Sequence, residues 1–191
     1  VKEHTTVVIL GDEKGPMMAV TPEYGAKVIA ISLNGLNGKN LIWLNPEIVT
    51  AEFWAGEVRN WNIGGARTWL SPEADFYLDK EKKWFVPQTM DPGNYKLIEK
   101  TTDRIICQNE FHIKNVLDQE YHLKIVRDLK LLSHSPISIP DGVQFVGLKF
   151  THRLVNLSNK TIGKDVAYAS LWSLIQLDAG GTMIFPIKKD P

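Results

Sequence analysis

Arg104-Ile-Ile-Cys-Gln-Asn-Glu-Phe-His-Ile113 and Tyr121-His-Leu-Lys-Ile-Val-Arg-Asp-Leu-Lys-Leu131 are the stretches whose reading decides the fold. In the first, Ile105, Cys107, Asn109, Phe111 and Ile113 face one way. Arg104, Gln108, Glu110 and His112 face the other, with Ile106 the exception. In the second, Tyr121, Leu123, Ile125, Arg127, Leu129 and Leu131 alternate against His122, Lys124, Val126, Asp128 and Lys130. A period of two is the signature of a half-buried strand, because successive side chains leave a strand on opposite faces. Residues 115–119 between the two runs then predict a hairpin.

Working outward, the same grammar recurs. Thr6 to Leu10, Met17 to Thr21 and Ala26 to Leu33 are short apolar runs, the last rich in Val and Ile. Asn34-Gly35 and Asn37-Gly38 tolerate positive φ and predict a hairpin returning through Asn40 to Leu44. Downstream, Val143 to Val155 reads as a long strand. Ala167 to Leu177 and Thr182 to Ile187 read as a hairpin across Ala179-Gly180-Gly181. Pro46 to Arg59 is the one stretch with a helical reading, and it carries Gly56 inside. Many strands without strand–helix alternation predict an all-β antiparallel β-sandwich in a single domain over 1–191. The chain stops at Lys188-Lys-Asp-Pro191, shortly after an apolar strand, so the sandwich is expected to be incomplete at its C-terminus.

Composition excludes several classes. Among 191 residues, Lys+Arg and Asp+Glu each number 22, leaving no net charge with which to neutralise phosphates, so a nucleic-acid partner is not expected. Hydrophobic residues at 43% and charged residues at 23% describe a folded domain rather than a disordered tail. No apolar run approaches the roughly 18 residues of a spanning helix, so no membrane partner is expected. Cys107 has no internal disulfide partner, and its apolar phase favours a buried, inert thiol over a reactive one. Val1-Lys-Glu-His4 shows no leader pattern and leaves the compartment open. Asn156-Leu-Ser158 and Asn159-Lys-Thr161 are sequons, which in a cytosolic protein mean only a polar turn.

The chain contains no P-loop, Gly-x-Gly-x-x-Gly, His-Glu-x-x-His or Gly-x-Ser-x-Gly motif. His4, His112, His122, His134 and His152 lack metal-ligand spacing, so neither metal nor cofactor is expected. The distinctive region is rich in tryptophan: Trp43, Trp54, Trp61, Trp69 and Trp84 crowd around Asn60-Trp-Asn-Ile-Gly-Gly-Ala-Arg-Thr-Trp-Leu-Ser-Pro-Glu73. Arg67 offers a planar donor fork, Glu73 and Asp75 offer acceptors, and Trp61 and Trp69 offer flat apolar faces. A sugar ring needs that mix, a C–H face to stack and hydroxyls to bond. This reading requires Arg67, Trp69 and Glu73 to line an open, saccharide-sized hollow. The alternative is an ordered loop whose tryptophans cap the core and whose Arg67 pairs with Glu73. Trp172 and Gln176, four apart on one strand with Leu174 between them, share a face. If that face lines the cleft they contact sugar, and if it faces the core they pack.

Tyr24-Gly-Ala-Lys-Val-Ile-Ala-Ile-Ser-Leu-Asn-Gly-Leu-Asn-Gly-Lys-Asn-Leu-Ile-Trp43 resembles the opening of the galactose mutarotase-like (aldose 1-epimerase) superfamily. Gly64-Gly-Ala-Arg-Thr-Trp-Leu-Ser-Pro-Glu73 resembles the Gly-Gly stretch that follows it there. Leu154-Val-Asn156, Ala169-Ser-Leu-Trp-Ser-Leu-Ile-Gln176 and Gly180-Gly-Thr-Met-Ile-Phe-Pro186 resemble its later strands. The resemblance implies a two-layer supersandwich whose cleft binds carbohydrate, with Arg67 holding sugar hydroxyls. It also implies a histidine acid and a glutamate base. Leu171-Trp172-Ser173 stands where that histidine would be, and the glutamate would fall beyond residue 191, so no catalytic residue is assigned. His152, in phase with Val146, Leu148, Phe150 and Leu154, reads as a core histidine. The function expected is carbohydrate binding in a Trp/Arg-lined cleft through Arg67, Trp69, Glu73, Trp172 and Gln176. The alternatives are an active epimerase or mutarotase with a recruited acid, such as His112, and a structural β-sandwich interaction module.

Overall fold

A computed structural model describes residues 1–56, 58–162 and 168–185. It contains strands β1 (Val8–Gly11), β2 (Met17–Thr21), β3 (Lys27–Ser32), β4 (Ala66–Ser71), β5 (Lys96–Lys100), β6 (Arg104–Lys114), β7 (Glu120–Leu132), β8 (Gly147–Asn156) and β9 (Ser170–Ile175). Helical structure is confined to single turns, including α1 (Ala51–Trp54) and α2 (Glu73–Phe76). Two antiparallel sheets form, one ordered β1-β2-β3-β4-β9 and the other β5-β6-β7-β8. This is an all-β sandwich.

Alternation becomes register in the second sheet. β6 and β7 pair from Arg104 opposite Lys130 to Lys114 opposite Glu120, across a tight turn in which Asn115 N–H bonds the Gln119 carbonyl. Ile105, Cys107, Phe111, Tyr121, Leu123, Ile125 and Leu129 are all buried on the face turned to the first sheet, where Val8, Leu10, Met18, Val20, Val28 and Ile31 meet them. Burying such side chains contributes about 1.5–3 kcal/mol each, which is what fixes the register. Cys107 is part of this core, and burial pushes its thiol up to about 11, so it is inert.

Several expected elements take another form. Asn40 to Leu44 is not a hairpin partner of β3, because the chain at Gly35 folds back toward the β1–β2 loop, its N–H bonding the Gly15 carbonyl at 2.7 Å. The Asn40 side chain stands in for the missing strand, accepting from Ile31 N–H at 3.1 Å and donating to the Ile29 carbonyl at 3.0 Å. Pro46 to Arg59 breaks into two turns, Pro46–Val49 and Ala51–Trp54, the second capped by Thr50 Oγ1. Val143 to Val146 stays outside β8. Among the described residues 182–185 there is no strand, and Pro186 and Ile187 lie outside the described residues. Within the tryptophan-rich segment 60–73, Ala66–Ser71 is β4, buried on both faces from Ala66 to Leu70. A strand covered on both sides carries no alternation to read.

Candidate functional site

Gly64 and Gly65 open the site. Both adopt positive φ, and a Cβ on Gly65 would stand 2.4 Å from the Val28 carbonyl oxygen. Glycine therefore lets the chain enter β4 tight against β3. β4 then pairs with β9 over its whole length, Arg67 opposite Leu174 and Trp69 opposite Trp172. Directly opposed residues share a face, so Arg67, Trp69, Trp172, Leu174 and Gln176 stand together. Thr68 on the other face reaches His152 of the second sheet at 3.1 Å, which fixes the Arg67 face as the one turned away from it.

Arg67 is held on three sides. Its Nη1 donates to Gln176 Oε1 at 2.8 Å, while its guanidinium carbon lies 5.0 Å from the Trp61 ring centre and 4.6 Å from that of Trp69. Cation–π contacts of this kind are worth about 0.5–2 kcal/mol each. The Nε atom is buried with no partner among the described residues. Burial lowers the guanidinium pKa while the nearby Asp91 carboxylate raises it.

Beneath Arg67 lies an ionic floor. Asp91 accepts from Trp69 Nε1 at 2.7 Å and pairs with Lys27 Nζ at 2.7 Å, all three groups being buried. Lys27 also donates to the Trp61 carbonyl, so it ties β3 to the segment that covers Arg67. Burial pushes the Lys27 amine down, and Asp91 pushes it back up. Arg127 enters the same region from β7, donating to the Gly25 and Ala66 carbonyls at 2.9 and 3.3 Å.

Aromatic rings form the outer layer. Trp84 is 44% exposed and Trp172 38% exposed. Trp84 lies 5.8 Å from Trp61 and stacks near Tyr77, and Trp172 meets Trp69 edge-on at 6.1 Å. Glu73, at the start of α2, accepts from Trp84 Nε1 at 2.7 Å and so holds that indole in place.

The sequence-predicted residues are thus brought together, with roles that differ from those expected. Arg67 at 8% exposure and Trp69 at 3% are closed over by the described residues rather than lining an open hollow. Trp69 serves as the floor under the guanidinium, and Trp172 and Trp84 carry the accessible indole surface. Glu73 bonds Trp84 and not Arg67, so the Arg67–Glu73 pair weighed from sequence does not form. Gln176 spends its oxygen on Arg67. A well-formed hollow, apolar and of about 190 Å³, lies elsewhere, lined by Val7, Ile9, Met17, Ile29 and Leu36 among others. Sequence reasoning missed Lys27, Asp91 and the rim position of Trp84. Lys27 was detectable as a charge opening the apolar run Val28–Ile31, whereas Asp91-Pro92-Gly93 carries only a turn signature.

Neither His112, named as a recruitable acid, nor His152, read as a core histidine, reaches this place. His112 is exposed on the outer face of the second sheet, stacked on His122 at 4.4 Å, with the sandwich between it and Arg67. His152 stands between the sheets, and burial holds its pKa down to about 4, so the ring is neutral near pH 7. Among the described residues no group of three or more His, Cys, Asp or Glu is arranged to hold a metal ion. No described helix is long and apolar enough to cross a membrane.

No curated protein and no solved structure matches the chain. The description "Family of unknown function (DUF6786)" matches residues 1–191, and the chain belongs to that family.

Proposed function

We propose that the chain binds carbohydrate on an indole shelf, the exposed surface of Trp84 and Trp172, with the Arg67–Gln176 pair in the layer behind Trp61 and Trp69. The observation that carries this reading is the Arg67 guanidinium packed beside the T-shaped Trp61–Trp69 pair and bonded to Gln176, in a cluster whose outer indoles, Trp84 and Trp172, are partly exposed. A sugar C–H face stacks on an indole, and its hydroxyls accept from a guanidinium already fixed in direction, which limits the ordering cost of binding. The likeness of residues 24–43 and 64–73 to mutarotase-like proteins supports the same reading. Binding is favoured over epimerisation because His112 and His152 both stand away from Arg67.

A second reading, a structural β-sandwich module, is favoured by one observation: Arg67 and Trp69 are nearly closed to solvent. Titrating tryptophan fluorescence with a monosaccharide panel separates the two. Carbohydrate binding predicts a saturable change that Arg67→Ala weakens at least tenfold. A flat response from the correctly folded wild type leaves the structural module.

A further inference from the structure

The charge balance under the shelf is uneven. Lys27, Arg67 and Arg127 all feel the field of Asp91, and all four are buried. Asp91 is spent on Lys27 at 2.7 Å and on the Trp69 indole. Arg127 is enclosed at 0% exposure and bonded to two backbone carbonyls. Arg127 shares with Arg67 an orphaned buried Nε and the lack of a paired carboxylate among the described residues, but Arg67 makes a single hydrogen bond there, to a neutral amide oxygen, where Arg127 makes two. A guanidinium cannot shed its proton to escape burial, and a buried cation without a counter-charge is costly. The Asp91 field and the Trp61 and Trp69 rings offset part of that cost for Arg67, and proteins break such local rules at functional sites. Arg67 is also the least enclosed of the three cations, at 8% exposure against 0% for Lys27 and Arg127, and the rings it touches, Trp61 and Trp69, in turn touch Trp84 and Trp172. Glu73 accepts from the Trp84 indole and does not pair with Arg67.

We infer that the group Arg67 awaits is an oxyanion, and that the ligand of the shelf is an acidic saccharide: a sugar bearing a carboxylate, sulfate or phosphate. This rests on the carbohydrate reading and narrows it from neutral to anionic sugars. The oxyanion takes a charge-assisted hydrogen bond from the guanidinium while the ring lies on Trp172 or Trp84. A planar donor fork suits such an oxyanion better than a lone hydroxyl.

The test is isothermal titration of the intact chain with matched pairs: galacturonate against galactose, glucose 6-phosphate against glucose, and N-acetylglucosamine 6-sulfate against N-acetylglucosamine. The inference predicts at least tenfold tighter binding of one or more acidic members. That preference shrinks as salt is raised from low to physiological strength, while neutral binding stays level. The arm showing the preference identifies the oxyanion. Arg67→Ala abolishes the preference and Arg67→Lys retains part of it, and circular dichroism confirms that each variant folds. Equal affinity within every pair overturns the inference and leaves the carbohydrate reading standing. Absence of binding by all six sugars to folded wild type overturns both.

Discussion

Asp91 joins two elements through one side chain, accepting from Trp69 and pairing with Lys27 where neither group reaches water. Removing one partner of a buried ion pair leaves the other charge uncompensated, which costs about 3–5 kcal/mol. Asp91→Ala is therefore expected to lower the urea midpoint by that equivalent, and a loss under 1 kcal/mol would contradict the buried pair. His152 gives a pH-dependent counterpart. Its folded pKa of about 4 lies below the ordinary 6.5, so the unfolded chain takes up a proton that the folded one refuses. Stability from this residue is complete above pH 6.5, falls as pH drops through 6.5, and levels off near pH 4. His152→Asn should flatten that part of the stability profile, measured by urea midpoints between pH 4 and 7. At this scale little of the floor was legible. Lys27, Asp91 and Trp69 are distant in sequence, and a carboxylate in Asp91-Pro92-Gly93 looks like any other turn residue.

β4 shows how far an element can be read and where reading fails. The alternation of β6 and β7 fixed both strands and the face of every side chain, Asn109 and Arg127 included, because one side of that sheet meets solvent. β4 lies under α2 and the residue 59–63 segment on one side and the second sheet on the other, so the period-two signal is absent from Ala66 to Leu70. Its position depends on Gly65. An alanine there would meet the Val28 carbonyl at 2.4 Å and would have to hold φ near +85°. Gly65→Ala is expected to destabilise the fold by more than about 1 kcal/mol and to shift Arg67 away from Gln176. Thermal denaturation reads the first effect, and amide chemical shifts along β9 read the second. An unperturbed β9 would contradict the role given to the glycine.

Across the whole molecule, Arg127 is the brace between the layers. It leaves β7 in the second sheet and bonds the carbonyls of Gly25, in the turn between β2 and β3, and of Ala66 in β4 of the first. Arg127→Ala orphans both carbonyls and opens a cavity, so a loss of about 3 kcal/mol or more is expected in equilibrium unfolding. The two-sheet architecture was legible from strand periodicity alone, whereas the crossing of Arg127 and the contact of Arg67 with Gln176, 109 residues apart, are products of packing that no local pattern encodes. Both contacts converge on the ground beneath the indole shelf, so the overall sandwich and the proposed site are one construction. The most direct measurement is an indole ¹H–¹⁵N spectrum of the intact chain, recorded while neutral and acidic sugars are added. The account predicts that the Trp84 and Trp172 resonances move in a saturable way while Trp54, stacked on His4 and outside the Trp61–Trp69–Trp84–Trp172 cluster, stays fixed. A spectrum in which no indole moves, or in which Trp54 moves and Trp172 does not, would contradict it.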